Sequence, residues 1–117
     1  APLYFRPTTR DLDADPSQWP TVGYLLIGCD PQRAMEQIQE ASEHFYGEGG
    51  FKPVFLVSGL EPSMFRESGF QFETVLEKEQ WARIGRGSYE DYLGDRIHGF
   101  IESYQVSQVV DLRPSHV

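Results

Sequence analysis

The stretch that most constrains the fold is Val22-Gly-Tyr-Leu-Leu-Ile-Gly28-Cys-Asp-Pro-Gln-Arg-Ala34. Val22 to Ile27 is a nearly unbroken apolar run, the pattern of a strand covered on both faces rather than one with a wet side. Gly28 ends the run. Asp30 then has the chemistry of a helix N-cap, and Pro31 falls at the first helical position, where its fixed φ and missing N–H cost nothing. Ala34, Ile38, Ala41 and Phe45 follow at helical spacing and predict one stripe packed on the sheet, with Glu36, Gln37, Glu40 and Glu43 on the other faces. Gly47, Gly49 and Gly50 stop this helix. A strand passing directly into a helix is the repeating unit of a parallel sheet.

The chain continues in the same alternation. Phe51 to Val57 reads as a second short buried strand ending at Ser58-Gly59. Pro62 to Arg66 reads as a single helical turn closed by Gly69, and Phe70 to Leu76 as a third strand. Residues 77–87 contain Gly85 and Gly87 and read as a flexible loop, although Trp81 and Ile84 need somewhere to bury. Ser88-Tyr-Glu-Asp91 has the form of a capping box with Asp in place of Glu. It opens the longest helix, whose apolar stripe is Tyr89, Leu93, Ile97, Phe100 and Tyr104. Gln108 to Leu112 is a last strand. The fold predicted is one three-layer α/β domain, Rossmann-like or flavodoxin-like, with a mainly parallel four-stranded sheet and right-handed crossovers.

Residues 21–112 make up this domain, and 113–117 a tail. Residues 1–20 hold Pro2, Pro7, Pro16, Pro20 and the acidic run Asp11-Leu-Asp-Ala-Asp15, and read as an extended arm or linker. Tyr4, Phe5 and Trp19 are its candidate anchors. The lack of an initiator Met leads us to expect a domain excised from a larger protein.

Composition limits the function classes. A net charge of −8 argues against nucleic-acid backbone and anionic membrane as partners, because both need a basic face. No apolar run approaches the roughly 20 residues of a membrane span. The single cysteine, Cys29, excludes an internal disulfide and a Cys-based zinc site, and fits a reducing compartment, the cytoplasm.

Ligands of open α/β sheets bind beyond the carboxyl ends of the strands. This picks out Gly28, Cys29 and Asp30 after the first strand and Ser58, Gly59 and Glu61 after the second as candidate ligand-binding residues, followed by Leu76-Glu77 and Asp111. The helix N-terminus after Gly28 suits a phosphate in principle. Both the GxGxxG fingerprint and the P-loop are absent, however, and Asp30 repels an anion, so a plain strand-to-helix turn is the competing reading. Cys29 stands where a nucleophile could sit. A phosphatase of this topology needs Arg six positions later, where Met35 stands, so a structural core thiol is the alternative.

Asp11-Leu12-Asp13 matches the DxD of sugar-nucleotide transferases and of dehalogenase-type phosphatases. It does not end an apolar strand, and it reads as solvated linker charge. His44, His98 and His116 are scattered with no ligand spacing, so neither a metal nor a cofactor is expected. There is no GxSxG, and Lys52 and Lys78 are misplaced for a receiver domain.

A strand, a Gly turn and a helix, then Pro53-Val-Phe-Leu-Val-Ser-Gly59, then Ser68-Gly-Phe-Gln-Phe-Glu-Thr-Val75, resembles the N-terminal half-domain of GT-B glycosyltransferases over residues 22–76. The family's glycine-rich first loop is reduced here to Gly28-Cys29-Asp30. The resemblance implies the acceptor-side half of a polysaccharide-related glycosyltransferase. Its nucleotide-sugar donor would be held mainly by a second domain that this chain lacks, so the chain alone would be inactive. The alternative expectation is a non-catalytic interaction or regulatory module that binds a protein partner.

Overall fold

The computed structural model describes residues 18–59, 66 and 69–114. In chain order the elements are β1 (Thr21–Leu26), α1 (Pro31–Gly47), β2 (Lys52–Ser58), β3 (Gln71–Val75), α2 (Lys78–Ile84), α3 (Tyr89–Tyr104) and β4 (Val106–Asp111). The strands form one sheet in the order β3-β2-β1-β4, and every neighbouring pair is parallel. The sheet is therefore wholly rather than mainly parallel. Its order matches the start of the Rossmann arrangement, not the flavodoxin one, in which a third strand pairs beside the first.

The chain moves one way across the sheet from β1 to β3 and then crosses back to place β4 beside β1. Two crossovers of one hand that travel in opposite directions have to lie on opposite faces. They do, and this makes the three layers. On one face α1 sets Ala34, Ile38 and Ala41 against Val22, Tyr24, Leu26, Phe55, Val57, Val110 and Leu112. On the other, Phe100 of α3 packs with Leu25, Ile27, Val54, Leu56 and Val75, and Leu93 and Ile97 flank them. Each residue of β1 is buried, as its unbroken apolar run requires.

The α1 face is aromatic. Tyr24 stacks on Phe55 with centroids 5.2 Å apart, and Phe70 meets both Phe55 and Phe45 at 5.8 and 5.5 Å. Ala34 and Ala41, both fully buried, let the helix backbone close onto these rings. Trp19 meets Phe45 edge-on at 6.4 Å and anchors the chain just ahead of β1. Tyr4 and Phe5, the Asp11–Asp13 triplet, the helical turn expected at 62–66 (apart from Arg66, which is helical) and His116 lie outside the described residues.

The α3 face depends on one glycine. A Cβ on Gly23 would stand 2.9 Å from Cε2 of Phe100 and 3.1 Å from a methyl of Val106. Only a residue without a side chain lets the buried Phe100 ring come this close to the middle of β1. α3 then turns into β4 through a single residue, Gln105, held at φ 54° with its N–H donating to the carbonyls of Glu102 and Ile101.

Two sequence expectations fail. Gln37, expected on a face away from the sheet, is buried along with Ala34, Ile38 and Ala41. Residues 77–87 are not a loop throughout, because α2 occupies Lys78–Ile84. The Glu77 N–H donates to Gln80 Oε1 at 2.8 Å, and Gly85 closes the helix in the left-handed region at φ 67°. Trp81 finds its cover by stacking on Tyr92 of α3, 4.4 Å away and nearly parallel. Such a contact carries no periodic signal, so glycine content alone misread the segment.

Candidate functional site

The two halves of the topology diverge between β1 and β4, and at that point the carboxyl ends of neighbouring strands open a crevice. An open groove of about 480 Å³ lies there. This is within the roughly 300–1,000 Å³ of small-molecule sites. Ile27 and Gly28 enter it from the end of β1, Ser58 from β2, and Arg113 and Pro114 from beyond β4. Glu77, Lys78 and Glu79 come from the start of α2, and Tyr89, Glu90 and Leu93 from the first two turns of α3. A second hollow of about 460 Å³ lies at the amino ends, between Phe45, Phe70 and Tyr104.

Two predicted residues meet at the groove floor. The Gly28 N–H donates to Ser58 Oγ at 2.9 Å, tying the ends of β1 and β2 together. Gly28 holds φ 79°, which favours glycine, and Ser58 is only 4% exposed although it lines the groove. Gly59, at φ 67°, lies so close to the Glu77 carboxylate that a Cβ there would collide with it. The predicted Gly28, Ser58 and Gly59 therefore assemble together with Glu77.

Cys29 and Asp30 are placed otherwise. Cys29 turns into the α1-side core, where its thiol donates to the Leu112 carbonyl at 3.3 Å. Burial pushes the thiol pKa above its ordinary value of 9.0, which offsets the lowering effect of the Arg33 guanidinium and leaves no ready thiolate. Asp30 caps α1, its Oδ1 accepting from Arg33 N–H at 3.0 Å. Glu61 lies outside the described residues.

The groove's charge is set by three carboxylates, Glu77, Glu79 and Glu90, against Lys78 and Arg113. Arg113 is already engaged. Its Nε and Nη2 donate to the two oxygens of Asp111 at 2.9 and 2.7 Å, and these hydrogen bonds hold the Asp111 carboxyl below its usual range. Tyr89 donates its hydroxyl to the Leu76 carbonyl at 2.7 Å, while Tyr92 OH accepts from the Leu76 N–H at 2.8 Å. Burial first, and then Tyr92, Glu77 and Glu79, push the Tyr89 phenol above its ordinary range, so it remains a donor.

Sequence reasoning did not find Tyr89, Glu90, Leu93, Lys78, Glu79 or Arg113. A usable signal existed in the capping sequence at Ser88. Every helix that follows a parallel strand starts at the carboxyl edge, so the first turn of α3 had to border the crevice. Among the described residues, no three His, Cys, Asp or Glu side chains are grouped to hold a metal, and no helix is long and apolar enough to cross a membrane.

In comparisons with known proteins, no family model, no curated protein and no solved structure matches the chain. What the fold and groove define is a class of architecture: a parallel α/β domain of Rossmann type with an acid-lined groove at its topological switch point.

Proposed function

We propose that this chain is the acceptor-side half of a polysaccharide-related glycosyltransferase, a glycan-binding α/β domain that completes its active site with a second domain. The observation that carries this reading is the composition of the groove. It presents three carboxylates and a tyrosine over an apolar wall of Ile27 and Leu93, with its arginine spent on Asp111 and only Lys78 left to offset the acids. Carboxylates accept hydrogen bonds from sugar hydroxyls, whereas they repel the diphosphate of a nucleotide sugar. The donor therefore belongs to the partner domain, and this half holds and orients the acceptor. Cys29 is turned into the core, away from the groove, and in this reading the chain needs the second domain for turnover. The lone buried thiol suits a reducing compartment, and we place the protein in the cytoplasm.

The test is to titrate neutral oligosaccharides and, separately, a nucleoside diphosphate into the chain while recording amide NMR spectra. Glycans are expected to shift Gly28, Ser58, Glu77 and Tyr89, and the nucleotide to leave them unchanged. Shifts with the nucleotide alone, or with neither ligand, would overturn the reading. A second reading, a protein-interaction module, draws on Tyr46, which is 70% exposed and stacks on Phe70. A stoichiometric partner captured by the intact protein and lost on Tyr46→Ala would favour it.

A further inference from the structure

Residues 77–87 join two firmly held parts of the molecule and are themselves held at one place. Before them, the Leu76 backbone is gripped from both sides by the hydroxyls of Tyr89 and Tyr92. After them, α3 starts with its Ser88 cap, Oγ accepting from Asp91 N–H at 3.0 Å. Between these points α2 buries no residue, and of the seven residues of the helix only Trp81 is even partly covered. That cover is the Tyr92 ring, and Trp81 Nε1 also donates to the Gly87 carbonyl at 2.9 Å.

The far end is made of glycines in conformations that other residues avoid, with φ of 67° at Gly85 and 101° at Gly87. Nothing lies within 4 Å of where a Cβ would stand at either position, so backbone geometry and not crowding calls for glycine. Segments with few buried contacts open at low free energy, independently of the domain. Glu77, Lys78 and Glu79 of this segment form one wall of the groove.

We propose that residues 77–87 are a hinged strap, latched by the stacking of Trp81 on Tyr92, whose release widens the groove. Glu77 remains anchored next to Leu76 while Lys78 and Glu79 swing away with α2 about the glycines. This motion of the wall does not depend on which ligand the groove takes.

Native-state hydrogen exchange on the whole chain tests it. The hydrogen-bonded amides of residues 81–85 should exchange at least about tenfold faster than those in the middle of α3. Trp81→Ala, which removes an aromatic pair, should speed the strap on the order of tenfold and leave β1, β2 and the middle of α3 unchanged. Trp81→Phe, which keeps a ring over Tyr92, should have a smaller effect. Equal exchange of the strap and α3 in the unaltered protein would overturn the proposal, because the segment would then open only with the whole domain. So would a Trp81→Ala variant that accelerates all amides alike, or a Trp81→Phe variant as fast as Trp81→Ala.

Discussion

Substituting Gly23 by alanine tests how the α3 layer is built. The backbone at Gly23 is not in the left-handed region, so alanine fits the strand conformation, and any cost arises above it. The new methyl would sit 2.9 Å from Phe100 Cε2, and ordinary contact begins at 3.4 Å, so the ring must retreat by about 0.5 Å. That ring is fully buried and is not the free end of a flexible chain. Overpacking of this kind costs about 1–3 kcal/mol. Loss of glycine's freedom in the unfolded chain returns about 0.4–1 kcal/mol. The net expectation is a destabilisation of about 1–2 kcal/mol, and for a domain of this size each kcal/mol lowers Tm by about 4–8 °C.

Urea unfolding followed by circular dichroism, with m-values compared, measures the effect directly. The decisive arm is a double-mutant cycle with Phe100→Leu. If the methyl clashes with the ring, Gly23→Ala should cost clearly less in the F100L background, a coupling of at least about 1 kcal/mol, with what remains falling on the Val106 methyls. A Gly23→Ala protein as stable as the parent, or additive effects in the cycle, would refute the reasoning. Glycine in β1 would then have no packing role.

Three other outcomes follow from single contacts. Asp30→Ala removes the cap of α1 and should cost about 1 kcal/mol in urea unfolding, with Asp30→Asn or Asp30→Ser recovering most of it. Tyr92→Phe leaves the Leu76 N–H without its acceptor and weakens the end of β3, at a cost of about 1 kcal/mol, with faster amide exchange at Leu76 as the local readout. For Cys29 the sign is set by a folded-state pKa raised above the unfolded value. Its contribution to stability is fully present below pH 9.0 and is lost as pH climbs through the higher folded value. Modification by a thiol reagent at pH 8 should accordingly be slow and keep pace with unfolding, and fast modification under native conditions would contradict the burial of this thiol.

Local pattern was enough to place most of the elements. Asp30-Pro31 set the start of α1, Ser88 and Asp91 set the start of α3, and the apolar run of β1 announced a strand covered on both sides. These signals are local because caps, φ restrictions and periodicity act within a few residues. Boundaries moved by a residue or two, most at β4, which begins at Val106 because Gln105 alone makes the turn. Of the candidate site, Gly28, Ser58 and Gly59 were legible because ligands of parallel sheets gather where strands end.

Tertiary structure decided the rest. Cys29 follows directly after Gly28, yet it points into the α1 core because the Leu112 carbonyl, 83 residues on, receives its thiol. Tyr89 and Glu90 belong to the groove only because β4 crosses back beside β1 and carries α3 to the opposite face. α2 is held to the domain by the contact of Trp81 with Tyr92, and Gly23 is needed because Phe100 lies above it. The sequence by itself determined the strand-and-helix alternation and the edge on which a ligand would sit. Which side chains face one another across the groove was settled by strand order and helix packing, contacts between residues far apart in the chain that leave no periodic trace in it.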